Sequence, residues 1–283
     1  MRLLLLITLI FSLSACENAK QAGDAAKEAV EKVEEAVSTK NIVTKPIDYD
    51  VDGVKFQGYL AYDANIEGKR PGILVIHEWW GLNPYAKKRA EMLAEEGYTA
   101  FALDMYGDGK LADHPEDAQK FMMEVISDMP VAVKRFDAAM SILKSQPTVE
   151  ANSIAAIGYC FGGAVVLQMA KTGNKDLKGV ASFHGALESM YTPKEGEVQA
   201  EILILHGKDD PFTPRDRIEV FIKELEDSGA KFEFIEYEGA VHSFTVEGAD
   251  EKGKAFGLPL AYNKAADEGS WAKMKEFFDR IFQ

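Results

Sequence analysis

From residue 41 to residue 283 the chain alternates short apolar segments with segments of helical pattern. Apolar segments such as GILVIHE, YTAFALDM and EILILHG consist largely of aliphatic and aromatic residues. Strands that are apolar on both faces are typical of parallel sheets covered by helices on each side, because each face must be shielded from water. We therefore predict an α/β domain over residues 41–283 with a mostly parallel, doubly wound sheet, and ligands at the carboxyl ends of its strands.

Turn residues predict where several of these elements begin and end. Asp52-Gly53 favours a hairpin between two antiparallel strands, 41–51 and 54–63. A helical region over 115–145 is expected to break near Pro130, since proline inside a helix removes a hydrogen bond. No internal repeat and no Pro- or Ser-rich linker interrupts the pattern, so we expect a single domain. Other helices are expected at 84–96, 161–171, 214–229 and 270–282.

The balance of charge limits the partners of the chain. Its formal net charge is -14, so the phosphates of a nucleic acid would be repelled. We expect an acidic, solvated surface and no nucleic-acid partner. We also expect no metal or organic cofactor, because no group of His and Cys residues has the spacing of a zinc site.

The segment GYCFGG, residues 158–163, follows the apolar run SIAAI. A strand followed by Gly-x-nucleophile-x-Gly and a helix is the sequence form of a nucleophile elbow, which leaves one side chain exposed above the sheet. The residue at that position is Cys160. The alternative is a tight turn that contains a buried cysteine.

An acid and a histidine follow this segment in the order that a catalytic triad of this fold requires. Asp209 and Asp210 come after EILILHG, and His242 comes after KFEFIEYEG. We favour Asp210 as the acid because it lies four residues before Pro214, and Asp209 remains the alternative. The other four histidines, at positions 77, 114, 184 and 206, do not satisfy the chain order, and for those at strand ends a structural hydrogen bond is expected.

An oxyanion hole requires backbone N–H groups near the charge that develops on the substrate. One is expected from Phe161, at the start of the helix after the nucleophile. The other is expected from the loop after GILVIHE, which indicates Trp79.

Five segments together resemble the dienelactone hydrolase family, carboxymethylenebutenolidase-like enzymes of the α/β-hydrolase fold: HEWWGLN, DMYG, GYCFGG, GKDDPFTP and VHSF. The resemblance covers roughly residues 41–283 and implies Cys160 as nucleophile, His242 as base and Asp210 as orienting acid. It also implies that Glu78 pairs with the cysteine and keeps it a less reactive thiol until substrate binds. The implied substrate is a small ester or lactone, cleaved through a thioester.

The sequence departs from the family at two positions. Members that cleave dienelactone hold the substrate carboxylate with two arginines, and Gly107 and Val246 occupy the corresponding positions here. Without that bidentate grip, dienelactone is not the expected substrate. A non-catalytic envelope protein that uses the fold for binding is the alternative function.

The N-terminal residues MRLLLLITLIFSLSAC have one Arg and an apolar stretch too short to span a bilayer comfortably. Leu13-Ser14-Ala15-Cys16 resembles the bacterial lipobox, which predicts a lipoprotein signal peptide over residues 1–15 and a lipid on Cys16. Cleavage of an ordinary secretory signal near Ala15 is the alternative.

Residues 16–40 are rich in Ala, Glu and Lys, a composition that predicts a semi-rigid helical spacer. We expect the domain to be anchored by Cys16 to a bacterial membrane of the cell envelope. In a Gram-negative cell, Glu17 after the lipidated cysteine favours the periplasmic side of the outer membrane. The oligomeric state is not indicated by the sequence.

Overall fold

The computed structural model describes residues 40–283. The predicted leader, the lipidated Cys16 and the spacer lie outside these residues. Residues Ile42–Gln283 form one compact unit. None of the helices among the described residues is long and apolar enough to cross a membrane.

An eight-stranded sheet has the order β1-β2-β4-β3-β5-β6-β7-β8. The β1–β2 and β2–β4 pairs are antiparallel, and all pairs from β4–β3 to β7–β8 are parallel. The prediction of a mostly parallel sheet is therefore confirmed. The strands are β1 (Ile42–Val51), β2 (Val54–Asp63), β3 (Arg70–Ile76), β4 (Thr99–Leu103), β5 (Val149–Tyr159), β6 (Leu177–Phe183), β7 (Glu201–Gly207) and β8 (Phe232–Tyr237).

Seven helices are present in the described part of the chain. They are α1 (Pro84–Glu95), α2 (Pro115–Ile126), α3 (Met129–Lys144), α4 (Phe161–Lys171), α5 (Arg215–Asp227), α6 (Ala249–Phe256) and α7 (Lys264–Ile281). The expected break between α2 and α3 occurs just before Pro130, which occupies the first turn of α3, after the N-cap Asp128. There the missing N–H of proline costs no hydrogen bond.

The central strands are buried on both faces, as their apolar sequences require. In β3, Leu74 and Ile76 pack in one core cluster, whereas Ile73 and Val75 pack in the other. This alternation follows from the two-residue period of a strand. Helices α3, α4 and α5 cover the first face, and α1 and α7 cover the second.

Because β3 and β5 to β8 are parallel, their carboxyl ends lie along the same edge of the sheet. The segments that follow β3, β5, β7 and β8 contain Glu78, Cys160, Asp210 and His242. The topology thus brings residues that are far apart in the chain to one edge.

Candidate active site

The turn between β5 and α4 exposes Cys160 at the edge of the sheet. Its backbone has φ 53° and ψ −115°, and its side chain is partly exposed. The flanking glycines allow this tight turn. A Cβ atom on Gly158 would lie 2.0 Å from the carbonyl oxygen of Gly162, and one on Gly162 would lie 2.3 Å from that of Ile76. Only glycine fits at these two positions.

His242 and Asp210 form a buried pair beside this turn. Nδ1 of His242 lies 2.7 Å from Oδ2 of Asp210. The other oxygen of Asp210, Oδ1, accepts the backbone N–H of Phe212 at 2.9 Å. The carboxylate is therefore held on both sides, in the orientation that supports the imidazole. Asp209 is exposed to solvent.

Cys160 lies within interaction distance of His242, on the side of the imidazole away from Asp210. Since Nδ1 of the imidazole faces Asp210, Nε2 is the nitrogen available to the thiol. Burial opposes a charge on His242, but attraction to Cys160 and the hydrogen bond with Asp210 outweigh it and raise the pKa of His242 well above 6.5. The arrangement stabilises the positive charge that His242 acquires when it binds a second proton.

Glu78 is a buried carboxylate near His242. It is 3 % exposed, and its Oε1 accepts a hydrogen bond from the hydroxyl of Ser243 at 2.9 Å. Burial raises the pKa of Glu78, although the hydrogen bond from Ser243 and the charge of His242 lower it. The pairing of Glu78 with Cys160 that the resemblance implies stays a prediction.

His184 lies directly beneath the nucleophile. Its Nδ1 accepts the backbone N–H of Cys160 at 3.1 Å, so its proton is on Nε2, which donates to Oγ1 of Thr245 at 2.8 Å. Thr245 is linked in turn to the buried Arg89, whose Nη2 donates to the carbonyl oxygen of Thr245 at 2.7 Å and to Asp267 at 2.6 Å. The turn of Cys160 is thus connected to α1 and α7.

The remaining histidines have structural contacts. Nδ1 of His77 is 2.5 Å from the carbonyl oxygen of Glu78, and its Nε2 accepts the backbone N–H of Met105 at 3.1 Å. His114 caps the N-terminus of α2 by accepting from the backbone N–H of Glu116. His206 is buried at the end of β7, where its ring lies 6.0 Å from that of Phe234. Its Nδ1 has no hydrogen-bond partner within the described residues, so the expected structural hydrogen bond is not found at that atom.

A pocket of about 420 Å³ opens over Cys160 and His242. Its walls come from the loop after β3, from α2, from the start of α4 and from the segments after β6 and β7. Trp79 and Phe161, the predicted oxyanion residues, both lie in its wall. The other lining residues are Met122, Ile126, Ala164, Ala186, Glu188, Met190, Phe212 and Leu260.

A family model and several known proteins are similar to this chain. The model described as the dienelactone hydrolase family matches residues 56–282. The chain belongs to the dienelactone hydrolase family. Protein usf of Aquifex pyrophilus is 27 % identical over 236 residues, which cover 82 % of this chain and 96 % of that protein.

Two solved structures are also similar to this chain. A dienelactone hydrolase-like promiscuous phosphotriesterase from metagenomic libraries is 32 % identical, covers 86 % of this chain and 99 % of its own, and has a TM-score of 0.78. The structure titled m3DLH is 34 % identical with the same two coverages and a TM-score of 0.80. Family and fold together make the chain a hydrolase of ester bonds.

Both positions where the dienelactone-cleaving members carry arginine lack a positive charge in this member. Gly107 has φ +82°, and a Cβ atom there would lie 2.6 Å from Cγ1 of Val54. No arginine fits at this position without a shift of the neighbouring side chains. Val246 lies one turn after His242, where its N–H donates to the carbonyl oxygen of Ser243 at 3.0 Å.

The structure brings together Cys160, His242 and Asp210, with Glu78 close to them. Of the two candidate acids, Asp210 contacts His242, whereas Asp209 is exposed. No motif predicted the pocket residues contributed by α2 and the segment after β6, because they come from segments without a functional pattern. For Ser243 and His184 the sequence gives only a weak signal. Ser243 is next to the candidate base His242, and His184 follows the end of β6. No group of His, Cys, Asp and Glu residues within 40–283 could hold a metal ion.

Proposed function

We propose that the chain is a thiol hydrolase of carboxylic esters or lactones in which Cys160 is the nucleophile. His242 acts as general base, and Asp210 orients it. The observation that carries the proposal is the hydrogen-bonded pair of His242 and Asp210, with 2.7 Å between Nδ1 and Oδ2 and with His242 in the same pocket wall as Cys160. Nucleophile, base and orienting acid in this order form the general arrangement for acyl transfer.

In the first half of the reaction His242 takes the proton of the Cys160 thiol, and the thiolate attacks the substrate carbonyl carbon. The C–S bond forms as the carbonyl becomes a tetrahedral oxyanion. When the oxyanion collapses, the C–O bond to the leaving group breaks and the imidazolium returns its proton to the leaving alkoxide. The product is a thioester on Cys160, and a lactone leaves its hydroxyl on the same acyl group.

In the second half His242 takes a proton from water, and the hydroxide attacks the thioester carbonyl. The C–S bond breaks as the acid product forms, and the sulfur recovers its proton from His242. Asp210 favours the imidazolium at each of these steps because its carboxylate accepts the Nδ1–H.

The oxyanion is proposed to bind to the backbone N–H groups of Trp79 and Phe161. Phe161 supports this role because it is the first residue of α4, where N–H groups have no partner within the helix. Both residues also line the pocket above Cys160. Two N–H donors at such a position typically contribute a large part of the rate enhancement.

Glu78 is proposed to modulate the thiol before substrate binds. Three observations support this role: Glu78 is buried, its pKa is raised, and it accepts a hydrogen bond from Ser243, the residue after the base. A carboxyl group with a raised pKa can exchange a proton with the neighbouring groups of the site. A neutral resting thiol is oxidised more slowly than a thiolate. This protection would be useful in the cell envelope, where we propose that a lipid on Cys16 anchors the protein.

The test is hydrolysis of a small activated ester, p-nitrophenyl butyrate, by the full chain and by Cys160→Ala, His242→Ala and Asp210→Asn. We expect each of the first two variants to lose at least about a thousandfold in kcat/KM, as other triads do. Asp209→Asn is the matched control and should retain activity. Circular dichroism checks that the variants are folded.

A mass spectrum of the protein during turnover should show the acyl group on the peptide that contains Cys160. If the wild type is inactive, or if Cys160→Ala is as fast as the wild type, the thiol-hydrolase proposal fails. The alternative of a non-catalytic envelope protein would then be favoured.

A further inference from the structure

The pocket over the nucleophile is largely apolar, and it contains a negatively charged side chain, that of Glu188. The dienelactone-cleaving members of the family are implied to use positively charged arginines instead. The wall of the pocket includes three aromatic residues, two methionines and four aliphatic residues. Apart from Cys160 and His242, the ionisable side chain that lines it is that of Glu188, and no lysine or arginine is among the lining residues of the described chain. A substrate in this pocket therefore meets a carboxylate from the segment after β6 and no positive charge, whereas the resemblance implies that relatives that cleave dienelactone present arginines.

The backbone of Glu188 is held in place at the wall of the pocket. Its carbonyl oxygen accepts a hydrogen bond at 3.0 Å from Nε2 of Gln168, which is fully buried in α4. The preceding residue, Leu187, is 1 % exposed and packs in the core. The following residue, Ser189, donates to Glu224 of α5. These contacts on both sides fix the position of the Glu188 backbone, and thus of its Cα and Cβ atoms.

The carboxylate of Glu188 pairs with Arg217 of α5, and the two side chains are 49 % and 51 % exposed. An ion pair that is half exposed is screened by water and remains adjustable. Because Glu188 lines the pocket and Arg217 does not, an anionic group in the pocket meets the carboxylate first. The carboxylate of Glu188 repels an anionic group, whereas a neutral group is not repelled.

We propose that Glu188 makes the site select uncharged esters or lactones and discriminate against substrates with a carboxylate near the scissile bond. The proposal rests on the proposed hydrolase function and specifies its substrate class. The apolar wall supplies binding through burial of apolar surface, and the carboxylate supplies specificity by opposing the wrong charge. Substrate choice would thus differ from that of the dienelactone-cleaving members.

The test compares two esters of nearly equal size that differ in charge: p-nitrophenyl hydrogen adipate and its amide, p-nitrophenyl adipamate. Their chain is long enough to disfavour attack of the carboxylate on its own ester. kcat/KM is measured at low ionic strength for each, divided by the uncatalysed hydrolysis rate. We expect the full-length wild type to prefer the neutral ester by at least about fivefold, and the preference to shrink in 1 M salt, where charges are screened within about 3 Å.

Glu188→Gln should raise kcat/KM for the anionic ester severalfold and leave the neutral ester within about twofold, because it removes a charge and keeps the shape. Glu195→Gln is the matched control, since Glu195 lies in the same segment, is exposed and does not line the pocket. It should change neither ester.

The double variant Glu188→Gln/Arg217→Gln separates repulsion by Glu188 from attraction by an unpaired Arg217. If the gain for the anionic ester persists, the charge of Glu188 is the determinant. If the gain disappears, or if the wild type cleaves the anionic ester as well as the neutral one, the proposal is overturned. Failure to cleave either ester would contradict the hydrolase function itself, which distinguishes the two outcomes.

Discussion

Cys160 occupies a backbone conformation that residues with a side chain rarely adopt. Its φ of 53° brings Cβ close to the neighbouring backbone, and such conformations typically cost about 1–3 kcal/mol. The same conformation lifts the sulfur above the edge of the sheet, where His242 reaches it. The backbone strain therefore accompanies the exposure of the residue 160 side chain, and it does not depend on whether that side chain is a thiol.

Replacing the thiol with two different residues should separate strain from chemistry. Cys160→Gly relieves the positive φ, whereas Cys160→Ala retains the strain of a Cβ atom. We expect the glycine variant to be about 1 kcal/mol more stable than the alanine variant in urea unfolding, because glycine adopts a positive φ without a clash of Cβ and is also the better N-cap residue. Both should be inactive on p-nitrophenyl butyrate. An alanine variant as stable as the glycine variant would show that the turn is unstrained.

At the scale of elements, the turn between β5 and α4 depends on the close approach of α4 to β3. The N–H of Gly162 donates to the carbonyl oxygen of His77 at 3.1 Å, and the backbone of Ile76 and His77 fills the space beside its Cα. Since the contact is with backbone, no side-chain rotation can relieve it. The position of α4, and with it that of Cys160, therefore depends on this residue.

Gly162→Ala should separate α4 from β3. An added methyl group would lie 2.3 Å from the carbonyl oxygen of Ile76, so we expect a loss of at least about 1–3 kcal/mol in the free energy of unfolding and a large loss of kcat. Gly248→Ala is the control, because the nearest atom to its added methyl is 3.9 Å away. It should change stability by less than about 1 kcal/mol. Urea unfolding and ester hydrolysis measure both quantities.

The elements that local sequence could predict are those with a strong pattern. The Asp52-Gly53 turn has positive φ at both residues, as a two-residue hairpin requires, and each predicted strand is present. Helix α6 was not predicted, because its eight residues ADEKGKAF are mostly charged or small and resemble a solvated loop. The expected last helix at 270–282 begins at Lys264 instead, since Asn263 caps it.

The candidate site also contains residues that the sequence predicts and residues that it does not. Cys160, Asp210 and His242 follow strands whose order in the chain determines their place at the edge of the sheet, so sequence alone could predict them. Met122 and Phe212 reach the pocket through the packing of α2 and of a loop, which no local pattern encodes. Tertiary contacts decide which side of such segments faces the substrate.

At the scale of the whole molecule, three buried histidines should make the fold sensitive to acid. Burial lowers the pKa values of His77, His184 and His206 below 6.5, so each binds a proton below that pH only after unfolding. The unfolded state then holds more protons, and stability falls as the pH drops.

The raised pKa of Glu78 acts in the opposite direction above 4.5, and that of His242 adds a constant stabilisation below 6.5. Asp137 and Asp267 also have raised pKa values, but the pKa values of these carboxyl groups start from 4.5 or below, whereas those of the three histidines start from 6.5. Between pH 6.5 and about 5 the histidines therefore predict a net loss of stability.

We therefore expect the free energy of unfolding to decrease between pH 6.5 and about 5, by up to about 1.4 kcal/mol per pH unit for each net proton. Urea unfolding at several pH values measures this slope. His206→Phe should make it shallower, because it removes a titrating group whose Nδ1 has no hydrogen-bond partner within the described residues. Stability that stays constant or increases toward pH 5 would contradict the prediction.

The two cysteines of the chain are predicted to have separate roles, and a matched pair of variants can distinguish them. A lipid on Cys16 would hold the protein at a membrane by burying acyl chains, at about 0.8 kcal/mol per CH₂ group, whereas the acidic domain itself has little attraction for anionic lipids. In cell fractionation, we expect Cys16→Ala to move the protein to the soluble fraction with kcat/KM unchanged. Cys160→Ala should stay in the membrane fraction without activity. Retention of Cys16→Ala at the membrane would contradict the prediction that a lipid on Cys16 is the anchor.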